Sequence, residues 1–387
     1  MSRSNDPGHY FQTTSALNEE ARKAAKAKNT KGKPARLPSK LLAVASDVDG
    51  ASGSAEAVFV AEAAGNVKRV FLETGEVTKT FSGPTAPLTS LAVSASSKTV
   101  YAGCWDKTVW SWDIGTGKVG KRFQGHSDFV KAVLVFKIRG KEILVSGGAD
   151  AKIIVWDAET GNLLHTLQGH TRGVLALALD PLEYEASKES AVVFSAGSDR
   201  EIRRWEIGIA KAGEVKDEPC PIIVHETSID AISFDTDGDL WTASADRTAK
   251  CLSRTRNFEA DSSFEHSDYV RDVVVDEEGG WVVTACRDEN VSVFEKGSGR
   301  LHHTFVGHWE EVTGLVLLEG QKVVSVSIDG TVRCWGLKGR ELAEAVKEAE
   351  DEKDGKVIEN EDLKEEKEGL MTVEEEEELA ALMDDSE

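Results

Sequence analysis

A histidine, a serine or threonine, an aspartate and a bulky apolar residue recur in fixed order along this 387-residue chain. They stand as His126, Ser146, Asp150 and Trp156; as His170, Ser195, Asp199 and Trp205; and as His308, Ser325, Asp329 and Trp335. Two further sets, His225–Thr242–Asp246 and His266–Thr284–Asp288, end in Leu252 and Phe294. His, Ser and Asp are the residue types of a nucleophilic triad. Here they repeat at equivalent positions, and one chain does not build the same nucleophilic site five times. A buried indole N–H needs an acceptor, and a polar trio beside each Trp supplies it. The recurring set is therefore expected to be structural. No catalytic constellation stands outside it, so the chain is expected not to be an enzyme.

The elements that position these residues follow from their period. Aligned on the small turn residue, the repeats end at Val70, Trp112, Trp156, Trp205, Leu252, Phe294 and Trp335, with gaps of 42, 44, 49, 47, 42 and 41. A period of about 40–45 residues marks a propeller blade, one four-stranded sheet per repeat. Within a repeat the apolar residues alternate: "VVFSAGSDREIRRW" (192–205) reads as strand, tight turn and strand, preceded by "GVLALALD" (173–180) and "LLHTLQGH" (163–170). Seven endings imply an all-β, seven-bladed propeller of four-stranded antiparallel blades. The second repeat has Pro84 in place of His but keeps Asp106 and Trp112, and the first keeps only the apolar outline "VFVAEAAGNVKRVF" (58–71). Insertions at 180–191 and 208–221 account for the two long gaps.

The period together with the side-chain set resembles the WD-repeat β-propeller family over about 300 of the 387 residues. The resemblance implies one hydrogen-bonded His–Ser/Thr–Asp–Trp set per blade and a peptide-binding narrower face. The positions of that face fall three and five residues after the His and one before the turn Asp. They give Pro87, Thr89 and Trp105; Phe129, Lys131 and Ala149; Gly173, Leu175 and Ser198; Ser228, Asp230 and Ala245; Tyr269, Arg271 and Arg287; and Glu311, Thr313 and Ile328. Aromatics and Arg are common interface anchors. The expected partner-binding residues are Trp105, Phe129, Lys131, Leu175, Asp230, Tyr269, Arg271, Arg287 and Glu311, suited to an extended peptide with acidic or phosphorylated residues. The family usually closes its ring with a strand from the other end of the chain. Candidates are 9–14, the residues just before Leu41, and 355–360, with the N-terminal side favoured.

Composition sets the limits. Apolar residues make up 40% of the chain, ample for a core, yet no run approaches the ~18–20 apolar residues of a membrane span. No apolar N-terminal signal core is seen. Five scattered cysteines without a Cys-x-x-Cys pair argue against a metal site and for a reducing compartment, nucleus or cytoplasm. No cofactor is expected. The formal charge of −22 divides into +6 over residues 1–40, −16 over 341–387 and −12 between them. An acidic ring is a poor surface for nucleic acid. The expected domains are a basic flexible leader (1–37), the propeller (38–340) and an acidic, partly helical or disordered tail (341–387). Helical pattern is present in 15–29 and 340–353. In 371–387 a capping box (Thr372, Glu375) precedes one apolar stripe, Leu379, Leu382 and Met383, a motif for docking in a partner's groove. The function these features imply is a non-enzymatic interaction scaffold or adaptor subunit, monomeric by itself, that binds other proteins with basic or extended segments. Two alternatives are an escort for a basic client such as a ribosomal protein or histone, and a substrate receptor of a ubiquitin ligase.

Overall fold

A computed structural model describes residues 14–47, 57–187 and 189–352. Residues up to 337 form one compact unit and residues from 338 a second. In the second, residues 339–352 are helical. The expected tail motif, Leu379, Leu382 and Met383, lies outside the described residues.

The first unit is a ring of seven four-stranded antiparallel sheets. The innermost strands are Leu41–Ser46, Leu88–Ser94, Val130–Ile138, Val174–Leu179, Ile229–Phe234, Val270–Asp276 and Val312–Leu318, which define blades 1 to 7. The second strand of each blade lies deepest between neighbouring sheets, as in Ala57–Glu62, where every residue is buried. Burial on both faces explains the near-continuous apolar sequence of Ala57–Glu62. The outermost strands face solvent and, Ala212–Glu214 of blade 4 excepted, keep one buried residue, as Val119–Gln124 keeps Phe123.

That residue cements blade to blade. Phe123 meets Trp156 edge-on at 5.7 Å, and Phe305 stacks on Trp335 at 4.7 Å. The Gly before His is part of the same joint. A Cβ on Gly125, Gly169 or Gly307 would lie 2.7–3.0 Å from the ring of Trp156, Trp205 or Trp335. Where the chain has Val224–His225 and Glu265–His266 instead, the terminal residues are Leu252 and Phe294. Glycine and tryptophan thus come and go together, because the indole occupies the space of a side chain.

Ring closure comes from the N-terminal side. Ala35–Arg36 pairs antiparallel with Thr331–Gly336 and completes blade 7, with Ala35 opposite Val332 and Arg36 opposite Thr331. Leu37 N–H donates to Gly330 O at 2.7 Å, and Cys334 N–H donates to Gly32 O at 2.9 Å. Of the candidate stretch 9–14, residues 9–13 lie outside the described residues and Thr14 begins a helix, and 355–360 also lie outside them. The N-terminal segment expected as a leader carries helix α1 (Thr14–Lys26) and this closing strand. Both insertions contain structure. Residues 180–191 hold helix α2 (Pro181–Ala186), capped by the Asp180 carboxylate, which accepts from Leu182 and Glu183 N–H. Residues 208–221 supply the outer strand of blade 4, Ala212–Glu214. The apolar run 221–224 before His225 forms an isolated bridge, Ile202 to Ile222.

Candidate functional site

The repeated polar set is assembled in blades 3, 4 and 7. The indoles of Trp156, Trp205 and Trp335 donate to the hydroxyls of Ser146, Ser195 and Ser325 at 2.9, 2.7 and 2.9 Å. Nε2 of His126, His170 and His308 reaches the same hydroxyls at 2.8, 2.7 and 2.7 Å. Their Nδ1 atoms meet Asp150, Asp199 and Asp329 at 2.9, 2.9 and 3.0 Å. Burial opposes ionisation of Asp199, but the His170 hydrogen bond and charge and the Thr171 and Glu201 N–H groups outweigh it and hold the carboxyl at about 2. Each hydroxyl therefore lies inside a saturated network and presents no nucleophile to solvent.

Blades 2, 5 and 6 solve the same problem differently. In blade 5, His225 keeps Thr242 and Asp246 at 2.7 and 2.8 Å. In blade 6, His266 bonds Thr284 at 2.7 Å but turns its other nitrogen to Phe264 O at 3.1 Å, so Asp288 is not its partner. In blade 2, the Trp112 indole donates to Ser82 O at 3.0 Å, and Asp106 accepts the indole of a second tryptophan, Trp110, at 2.8 Å. One cluster among the described residues, His170–Asp199–Glu201, has metal-ligand types close together. His170 and Asp199 are engaged in the polar set and Glu201 pairs with Arg203 at 2.6 Å, so the cluster is a structural network.

The predicted face has its own repeating geometry. In every blade the residue before the turn donates its N–H to the carbonyl at the start of the innermost strand. The pairs are Ala63–Lys40, Trp105–Pro87, Ala149–Phe129, Ser198–Gly173, Ala245–Ser228, Arg287–Tyr269 and Ile328–Glu311, at 2.8–3.1 Å. Two residues further on, each innermost strand has a β-bulge. The bulged residues are Leu42, Thr89, Lys131, Leu175, Asp230, Arg271 and Thr313. A bulge re-aims its side chain, and these seven ring the central channel, lining a cavity of about 200 Å³. The blade 1 members, Leu42, Lys40 and Ala63, escaped sequence alignment because that repeat lacks both His and Asp.

The bulge residues divide by role. Thr89 and Thr313 hydroxyls donate to Val130 O at 2.7 Å and Leu41 O at 3.0 Å in the next blade, tying the ring at its hub. Leu175 contributes apolar wall. Arg271 donates to Asp230 at 2.9 Å and also to Glu311, one guanidinium shared by two carboxylates. Burial opposes its charge, but Asp230 and Glu311 prevail and its pKa is raised. Asp230 is raised as well, by burial first and then by the nearby Glu311 carboxylate, which together outweigh Arg271 and Lys131. Asp272, in the channel wall, accepts N–H bonds from Leu315 at 2.8 Å and from Val273 at 2.9 Å, yet burial pushes its carboxyl up to about 6.

Lys131 differs from its neighbours. Trp105 and Phe129 stack at 5.0 Å with an interplanar angle of 14°. The Lys131 ammonium lies 5.1 Å from the Trp105 ring centre and 5.9 Å from that of Phe129. No salt bridge is made to it among the described residues, and burial lowers its pKa. Across the ring in blade 6, the Arg287 guanidinium lies 5.2 Å from the Tyr269 ring centre. Trp105, Phe129 and Tyr269 remain 36–39% exposed, although the Trp105–Phe129 stack itself bridges blades 2 and 3. The structure thus gathers two aromatic–cation clusters, Trp105–Phe129–Lys131 and Tyr269–Arg287, with the Arg271–Asp230–Glu311 network. No helix among the described residues is long and apolar enough to cross a membrane.

Fold and site together define a propeller scaffold whose recurring polar residues serve structure. Comparison with known proteins agrees. The family description "WD domain, G-beta repeat" matches residues 75–113, 259–295 and 299–336, and "tRNA methyltransferase TRM82 WD40 domain" matches 120–207. An uncharacterised WD repeat-containing protein of Schizosaccharomyces pombe is 31% identical over 346 residues, covering 87% of this chain and 90% of that protein. Nuclear distribution protein nudF of Aspergillus niger is 25% identical over 277 residues, 68% of this chain and 53% of that protein. The tRNA (guanine-N(7)-)-methyltransferase non-catalytic subunit wuho of Drosophila pseudoobscura pseudoobscura is 31% identical over 118 residues, 29% of each. The chain belongs to the WD-repeat β-propeller family and is a non-enzymatic protein-interaction scaffold.

Proposed function

We propose that this protein is an adaptor subunit of a nuclear or cytoplasmic assembly. It captures an extended partner segment bearing an acidic or phosphorylated residue at the mouth of the channel. One observation carries the reading: an ammonium that makes no salt bridge among the described residues, Lys131, is held over a stacked, half-exposed Trp105–Phe129 pair. The aromatic pair offers rigid apolar area, and the cation offers a charge-assisted hydrogen bond to a carboxylate or phosphate. Desolvation beside the rings strengthens that bond when the partner seats. Arg287 over Tyr269 provides a second cation on the far side of the mouth. Arg271, already shared by Asp230 and Glu311, orders the rim. The relative named as a non-catalytic subunit supports a subunit role for this propeller as well.

The test is affinity purification with mass spectrometry of the tagged full chain, comparing wild type with W105A/K131A. Both side chains lie outside the polar sets, so the variant keeps its thermal midpoint. Loss of a defined partner set from the folded variant supports the proposal. An unchanged set sinks it.

A further inference from the structure

The basic face of α1 rests on two carboxylates at the edge of blades 6 and 7. Arg22 grips Glu289 with both ends of its guanidinium, Nη1 to Oε2 at 2.8 Å and Nη2 to Oε1 at 2.7 Å. Lys26, one turn on, donates to the same carboxylate at 2.6 Å. Lys23 donates to Glu310 at 2.7 Å. Glu289 itself is nearly buried, 8% exposed, in the turn that follows Asp288. Burial works against its charge, but the bonds from Arg22 and Lys26 outweigh it and hold the pKa below the ordinary value. The two carboxylates therefore read a helical pattern, Arg-Lys-x-x-Lys, in which residues i and i+4 share one acid and i+1 takes the other.

The helix that fills this seat meets it through charged side chains. No α1 side chain whose burial is described is buried, and the contacts of these residues include the ion pairs to Glu289 and Glu310. A 13-residue helix is marginal in water without such support, and added salt screens the exposed cations that supply it. A nearly buried carboxylate must keep a cationic cover, and a second helix bearing the same cations can take the place of the first. Glu289 and Glu310 also stand beside Arg287 and Glu311 of the channel-mouth rim in the chain, so an occupant of this seat adjoins the partner face.

We propose that the Glu289–Glu310 edge is a docking seat for a basic helix of a partner protein carrying the Arg-Lys-x-x-Lys spacing, and that α1 occupies it in cis. The partner helix binds when α1 lets go, and α1 sets the threshold for binding. This surface is separate from the Lys131 cluster and takes cations where that cluster takes anions.

The test uses the full chain and a fluorescein-labelled peptide with the sequence of residues 14–28. In R22E/K23E/K26E the seat is vacated. Fluorescence anisotropy should show peptide binding to this variant, about tenfold weaker apparent affinity for wild type, whose seat is mostly filled, and loss of binding when E289Q and E310Q are added to the vacated chain. Added salt should weaken the binding. Equal affinity for wild type and vacated chain, or no binding to a vacated chain with a wild-type thermal midpoint, overturns the proposal. Hydrogen exchange on unmodified protein is an independent arm. Excess unlabelled peptide should speed exchange of the α1 amides, and unchanged exchange at saturating peptide also overturns it.

Discussion

Replacing Ser325 by Ala removes one oxygen from the protein and orphans two buried groups. The Ser325 hydroxyl accepts the Trp335 indole N–H at 2.9 Å and bonds His308 Nε2 at 2.7 Å, and all three residues are 5% exposed or less. No solvent reaches the vacated position to replace it. Leaving a buried polar group without a partner costs about 1–3 kcal/mol, so S325A should lose about 2–6 kcal/mol. Blade 6 supplies the control. Thr284 bonds His266 Nε2 at 2.7 Å, but Phe294 stands where the indole would be, so T284V orphans one ring nitrogen and conserves volume. Its expected cost is about 1–3 kcal/mol, roughly half that of S325A. Urea unfolding followed by circular dichroism measures both. If S325A costs no more than T284V, or less than about 0.5 kcal/mol, the indole–hydroxyl–imidazole chain is not what holds the blade and the structural reading of the repeated set fails.

Three further outcomes are expected. Asp272 has its pKa raised to about 6, so ionising it costs more in the folded chain than in the unfolded one. Its contribution to stability is therefore greatest below the ordinary carboxylate range and is lost as pH rises through about 6. Relative to D272N, wild type should be least favoured near neutral pH and gain as pH falls toward about 4 in urea titrations. A flat difference between the two contradicts this. Gly32 has φ +68° and a Cβ there would lie 2.9 Å from the Trp335 ring, whereas Gly140 has φ +78° with open space. G140A should cost only the left-handed strain, about 1–2 kcal/mol, and G32A clearly more, read as thermal midpoints. Arg333 is fully buried, with its pKa pushed by burial down to about 10, and donates to Asn29 O at 3.2 Å and to Lys31 O. R333M should speed amide exchange in residues 29–36 by more than in blade 3. Uniform exchange would mean that Arg333 does not clamp the closing segment.

The sequence alone determined the ring. Its period and the spacing of His, Ser or Thr, Asp and Trp are local properties of a repeated blade, and every copy obeys the same sterics. The Gly before His is required wherever an indole lies on it, and absent where Leu252 or Phe294 takes the indole's place. The bulge residues could be counted from each His because the distance along one strand is fixed. What these side chains meet could not be counted. Lys131 above two rings, and Arg271 shared between Asp230 and Glu311, join blades about 40 residues apart in sequence. Blade 1 had no His or Asp to count from, although its backbone repeats the same pairing. The second insertion gave no sign that it would become an outer strand, because three residues of Ala-Gly-Glu carry no alternation. The basic N-terminal segment looked solvated by composition, since its few apolar residues offer no core. Only the tertiary structure, by bringing Glu289 and Glu310 more than 260 residues along the chain to Arg22, Lys23 and Lys26, decided that its charges have partners.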